Sequence, residues 1–131
     1  RINYVSTAAK FEYSTMAFGC ALGLSESIDF IYKTSVETIF QHNKLLSDRL
    51  IEGMLEIGAK ITSPLNDKDR TSIVRAHIES VDTYQLKNGL QNAQIFVSTR
   101  GNSIRFSPHL YNTLDDIDKA INEIKKWLRN N

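Results

Sequence analysis

The sequence predicts an α+β fold, a small and mostly antiparallel sheet covered by helices. Three observations carry that expectation. Apolar residues recur at three- and four-residue steps through two long segments near the start, the spacing of a helix face. Short alternating segments follow, two of them separated by Gly101-Asn102, a pair suited to a tight hairpin turn. The last stretch returns to helical spacing behind Thr113 and Asp116, which together have the form of a capping box.

The first helix is expected from about Thr15 to Tyr32, with Met16, Cys20, Gly23, Leu24, Ile28 and Ile31 at the repeating positions. Ser14 or Thr15 offers a side-chain oxygen to the free first-turn amides. Gly19 and Gly23, four residues apart, suggest close approach of another backbone. In the second helix Val36, Ile39, Phe40, Asn43, Leu46, Leu50, Met54 and Ile57 form one stripe, with Ser35 as a cap and Gly58 as the terminator. "AKITSP" reads as a short edge strand stopped by Pro64, and "LNDKDRT" as a polar loop. "SIVRAHI" alternates, with Ile73, Arg75 and His77 on one face and Val74, Ala76 and Ile78 on the other. Asp82 caps a short helix reaching about Gln91, with Leu86 and Leu90 inward. "QIFVSTR" and "SIRFS" form the hairpin around Gly101-Asn102. Pro108 lacks a ladder amide and ends the second of these strands. Leu114, Ile117, Ile121, Ile124 and Leu128 mark the terminal amphipathic helix.

The 131 residues are expected to form one domain with a real core. Sixteen basic residues against 15 acidic ones leave a net charge of +1, which gives no electrostatic case for nucleic acid or an anionic membrane. No apolar run approaches the roughly 18 residues of a membrane span, and the start has no signal-peptide pattern. Cys20 is the only cysteine, so a reducing, cytoplasmic setting is the default expectation. The chain opens on Arg1 rather than methionine. It is read as a piece of a longer polypeptide, although a processed or trimmed product would look the same.

The residue types argue against several chemistries. His42, His77 and His109 are scattered and Cys20 is alone, so no metal-ligand spacing exists. There is no Gly-x-Ser-x-Gly elbow and no phosphate-cradling glycine loop. His42 reads as a surface or partner-contact histidine, Cys20 as a small buried hydrophobe. His109 and Asn112 read as turn residues. Arg105 stands between two inward-facing neighbours, Ile104 and Phe106, and points to the opposite face with Ser103. Its planar fork suits a carboxylate. Pattern alone nevertheless favours the plainer reading, a solvated arginine on the open face of the hairpin.

Three segments in order change that balance. "RFSPHLYNTLDDID" resembles the ending of the class V aminotransferases, the fold-type-one pyridoxal-phosphate enzymes that include cysteine desulfurases and isopenicillin-N-epimerase-like proteins. "KFEYSTMAFGCALGLSESIDFI" is similar to that family's Arg-x-Glu-x-Gly-Thr segment and the helix after it. "SVETIFQHNKLLSDRLIEGMLEIGAKITSP" is similar to its Ile-x-x-Ile-x-x-His helix and the following strand. The three together span nearly the whole chain.

The resemblance implies the small C-terminal domain of a larger enzyme, residues 1–131, without the large cofactor-binding domain. Arg105 then matches the arginine that binds the substrate α-carboxylate. Thr15, with Ser14 beside it, matches positions near the phosphate of pyridoxal phosphate. Tyr111 and Asn112 match positions expected to support the arginine strand. The Schiff-base lysine, the group stacked on the cofactor ring and the acid on its pyridine nitrogen would all lie in the large domain. No residue of this chain is therefore expected to be catalytic, no metal is implied, and the isolated chain is expected to be inactive. The implied partners are an amino-acid substrate, the large domain of the same polypeptide and a second copy in a homodimer.

Departures from the family pattern sharpen the reading. Ser14-Thr15 replaces Gly-Thr, and Lys10 replaces the leading arginine. Desulfurases carry a catalytic cysteine on a loop before the arginine, whereas "STRGNSIR" here is a tight turn without one. That favours the epimerase- and transaminase-like branch over persulfide chemistry. A rival reading keeps the fold and drops the enzyme: a stand-alone, non-catalytic binding or dimerisation module.

Overall fold

In the computed structural model, residues 3–12, 15 and 17–130 are described. The chain divides into two compact units, Arg1–Ser35 and Val36–Asn131. The first holds a short 3-10 turn, Ala8–Phe11, and helix α1, Phe18–Thr34. α1 starts three residues later than the spacing suggests, because Ala17 occupies the N-cap and supplies no side-chain hydrogen bond. Thr15 lies in a bend before it and does not cap, while Ser14 and Met16 fall outside the described residues. No residue of α1 is buried. Phe18, Leu22, Phe30 and Ile31 are all exposed, and so is Cys20, contrary to its expected burial. The close approach expected at Gly19 and Gly23 is not found, since a Cβ on either would meet no described atom within 4 Å.

The second unit contains α2 (Val36–Glu56), β1 (Lys60–Ile61), β2 (Val74–His77), α3 (Thr83–Asn92), β3 (Ser98–Arg100), β4 (Ser103–Phe106) and α4 (Leu114–Asn130). Ser35, expected as the cap of α2, is the C-cap of α1 and takes a φ of 72°. Gly58 ends α2 as expected. With φ at 86°, its amide reaches Leu55 O at 2.9 Å and the Ala59 amide reaches Met54 O at 3.0 Å. These are the two bonds of a Schellman terminus. Asp82 caps α3 by accepting from the Tyr84 and Gln85 amides. α3 ends by the same device as α2, but with Gln94 (φ 62°) in the glycine position, where the Ile95 amide bonds Leu90 O at 2.9 Å. That bond commits residues 94 and 95 to the helix end, so β3 begins only at Ser98 rather than near Gln94.

The four strands pair antiparallel in the order β1-β2-β4-β3. β1 is an edge strand, as its proline stop suggests. Gly101 has a φ of 57° while Asn102 does not share the positive sign, the arrangement of a two-residue type II′ hairpin turn. One sheet face is covered. Val74 and Ala76 from β2 and Ile104 and Phe106 from β4 are buried there, against Leu46, Leu50 and Met54 of α2 and Leu86 and Leu90 of α3. α4 packs across α2 and α3 and contributes Ile117, Ile121 and Ile124 to the same core. Among the described residues, no helix is long and apolar enough to cross a membrane.

α2 and α4 meet at Gly53. A Cβ there would stand 2.7 Å from Ile121 Cγ1 and 3.1 Å from its Cγ2. Ile121 is fully buried and its β-branched side chain has one preferred rotamer in a helix, so it has nowhere to retreat. Arg49 donates to Asp118 at 2.7 Å and Lys125 to Glu56 at 3.0 Å, tying the same two helices at the surface. Such exposed pairs contribute little, about 0–1 kcal/mol; the interior contact dominates. α4 opens with the expected capping box. Thr113 N donates to Asp116 Oδ2 at 2.9 Å and Asp116 N to Thr113 Oγ1 at 3.2 Å.

Two outcomes follow for folding. Gly53→Ala should destabilise by about 1–3 kcal/mol through overpacking, although alanine is the better helix former; a rise in the urea midpoint would contradict the close contact. The backbone amide of Thr113 holds the Asp116 carboxyl below its ordinary value of 3.8. A depressed folded-state pKa contributes stability above the unfolded value, lost as pH falls through the lower folded one. The stability difference between the unchanged chain and Asp116→Asn should therefore shrink as pH drops below about 3.8, read by thermal unfolding across pH 5 to 2.

Candidate active site

Alternation dictates the chemistry of the uncovered sheet face. With Val74, Ala76, Ile104 and Phe106 turned inward, Arg75, His77, Ser103 and Arg105 must turn outward. The register then sets Arg75 directly opposite Arg105, with Ser98 opposite Arg105 on its other side. Lys60 pairs with His77 and Arg100 with Ser103. Lysine, histidine and three arginines thus share this face, and no strand residue on it is acidic. The ion pairs among the described residues lie elsewhere, on α2, α4 and the segment 67–70.

Arg105 is half-buried, and its Nε is buried without a hydrogen-bond partner. A buried unmet donor costs about 1–3 kcal/mol and more when charged. Like charges directly opposite across a sheet add to that cost. Ser103, buried on the same face, is satisfied by the Thr62 hydroxyl at 3.3 Å. His77 Nδ1 lies 2.6 Å from Asn102 O; only a protonated Nδ1 can make that bond, so Nε2 is left to face outward chemistry. This arrangement can hold an anion and, among the described residues, has no internal one to hold.

The segment after β4 is built to fix that strand's end. Asn112 Oδ1 accepts from His109 N at 3.0 Å, and Asn112 N donates to His109 O at 2.8 Å. His109 and Tyr111 stack with centroids 5.6 Å apart, Tyr111 remaining exposed. His42 is not a surface histidine. Its Nε2 meets Asn112 O at 2.9 Å, which ties α2 to the turn seventy positions away in sequence. The helix motif Val36-x-x-Ile39-x-x-His42 and the Tyr111-Asn112 motif are therefore two ends of one contact. Residue types alone did not reveal it; the histidine closing the Val36-x-x-Ile39-x-x-His42 motif was the available signal.

Two clefts flank these elements. One of about 350 Å³ runs between Phe96, Pro108, Tyr111, Asn112, Asp116 and Ile117. The other, about 320 Å³, lies between α2 and the loop before β2, lined by Phe40, Asn43, Lys44, Ser47, Asp67 and Arg70. Asn43 is buried there with its Oδ1 unpartnered. From its wall Arg70 reaches both Ser47 Oγ and Asp48. Burial pushes the Asp48 carboxyl up, but hydrogen bonds from Lys44 and Arg70 outweigh it and hold the pKa below the ordinary value.

Of the residues singled out in the sequence, Arg105 lies in the second unit on the outer sheet face, and Thr15 lies exposed in the first unit before α1. Ser14 lies outside the described residues. The span between β3 and β4 is the two-residue turn expected, with Arg100 and Ser103 as its closing pair. It holds no cysteine.

Comparison with known proteins agrees with the residue pattern. The model of the class-V aminotransferase family matches residues 1–120. An uncharacterized aminotransferase of Schizosaccharomyces pombe is 27% identical over 127 residues, 97% of this chain and 32% of that protein. A probable cysteine desulfurase of Staphylococcus epidermidis is 25% identical over 131 residues, 89% of this chain and 32% of its own. The apo structure of a cysteine desulfurase from Thermococcus onnurineus superposes with a TM-score of 0.86 at 20% identity, covering 95% of this chain and 34% of that one. The fold is thus shared with that enzyme, and the chain spans about a third of the length of the relatives it matches. With the family model covering all but its last eleven residues, the chain belongs to the class-V aminotransferases.

Proposed function

We propose that this chain is the small domain of a pyridoxal-phosphate enzyme acting on an amino acid, and that Arg105 grips the substrate's α-carboxylate. The observation that carries the reading is the Arg105 guanidinium itself. It is half-buried on the outer sheet face, has an unpartnered Nε and, among the described residues, is paired with no acid. A carboxylate meets all three conditions at once, because it can accept two parallel bonds from the guanidinium fork.

The start of α1 suits the phosphate end of the cofactor. Its first-turn amides lack a side-chain cap, and open amides at a helix N-terminus favour a phosphate. Thr15, with Ser14, adds hydroxyls just before them. The cofactor, when bound, supplies the electron sink for reactions at the amino acid's α-carbon. The residues of this chain bind and orient the substrate. The lysine that bonds the cofactor belongs to the large domain of the same polypeptide, in a homodimer. The exposed apolar side chains of α1, Phe18, Leu22, Phe30 and Ile31 among them, fit that assembly, since contiguous exposed apolar surface is normally covered. The two-residue β3–β4 turn favours transamination, racemisation or lyase chemistry over persulfide transfer. A cytoplasmic setting accords with the free thiol of Cys20.

Two experiments test the reading. In the full-length polypeptide, Arg105→Lys should weaken amino-acid binding about ten- to hundredfold through loss of the bidentate grip, with cofactor affinity nearly unchanged; equal loss of both would contradict the role. The isolated chain mixed with pyridoxal phosphate and borohydride should show scattered, substoichiometric lysine labelling. Stoichiometric modification of one lysine would overturn the assignment of the cofactor lysine to the large domain.

A further inference from the structure

We infer that Arg75 is a second anion grip beside Arg105, so that the amino acid handled here carries an acidic side chain as well as its α-carboxylate. The inference rests on Arg105 holding the α-carboxylate and adds the substrate class. Its own ground is the β2–β4 register. Arg75 and Arg105 are Cα partners on the same sheet face, which places their Cβ atoms about 4.5–5.5 Å apart. Two arginines so placed repel, and nothing within the described residues relieves them. Neither takes part in an ion pair, and the outward strand positions around them are Lys60, His77, Ser98, Arg100 and Ser103.

Other positions on the face are occupied or turned away. Arg100 is at the hairpin turn and donates to the carbonyl of Thr99. His77 is held by Asn102 O through Nδ1. Among the described residues Arg75 has only its backbone engaged, its amide by Ser63 Oγ and its carbonyl by the Thr62 amide, and its side chain is exposed. A substrate with one anion satisfies Arg105 and leaves Arg75 facing a second cation. A substrate with two anions a few bonds apart matches the spacing of the pair and removes the repulsion.

Succinate and butyrate separate the possibilities, because they share a four-carbon skeleton and differ by one carboxylate. Calorimetric binding to the full-length polypeptide should show succinate at least about tenfold tighter than butyrate. Arg75→Gln should erase most of that preference, whereas Arg100→Gln, which removes the same charge from the same face, should keep it. A preference unchanged in Arg75→Gln, one lost equally in Arg100→Gln, or none in the unchanged protein would each overturn the inference. The reading of Arg105 is tested separately by butyrate alone. If Arg105→Lys does not weaken butyrate, the α-carboxylate role fails, whatever happens to the succinate preference.

Discussion

A four-stranded sheet with helices on only one side imposes a single constraint, and the rest of the unit follows from it. Side chains alternate strictly along a strand, so choosing which face is buried also chooses which residues meet the outside. Here Val74, Ala76, Ile104 and Phe106 are committed to the core. The arginines between them have no freedom to be elsewhere. The hydrophobic effect thus places the polar residues of the candidate site as firmly as any hydrogen bond would, and it does so without forming a contact to them. Slipping either strand by one residue would bury a guanidinium and expose two core side chains, which makes the register of Arg75 and Arg105 expensive to change.

The helices meet that demand from different distances in sequence. α2 crosses α4 closely because Gly53 leaves room for Ile121, and α3 accepts Trp127 against Gly89 for the same reason. At the far end of β4, His42 holds the backbone of Asn112. The strand bearing Arg105 is therefore fixed at both ends, by a tight turn before it and by a histidine-anchored turn after it. Such support is what the binding role proposed for Arg105 would require.

Local signals were readable where one residue carries the cause. Gly58, Asp82, Gly101 and the Thr113–Asp116 pair each act through their own backbone neighbours, and the elements they bound are found where those residues stand. The order of elements and the two faces of β2 followed from periodicity alone. Legibility ended where the cause is tertiary or unconventional. Gln94 terminates α3 in a conformation that favours glycine, so composition could not mark it, and β3 is shorter than its β-rich sequence suggests. Cys20 sits on a helix whose apolar residues are all exposed, which the spacing of that helix could not show. His42 required knowledge of what lies across the fold. Arg105 was placed on the correct face by alternation, but its unmatched Nε and its arginine neighbour emerge only from pairing of strands distant in sequence.

The β3–β4 turn has a consequence for how this scaffold can diversify. Loops beside a binding site are ordinarily where insertions accumulate and new specificities arise. A two-residue turn whose first position needs a positive φ leaves no backbone to fold over Arg105, whereas a longer connection would keep both strands paired and bring loop side chains to that face. Related chains that differ in the chemistry done beside the arginine would be expected to differ in the length of this connection.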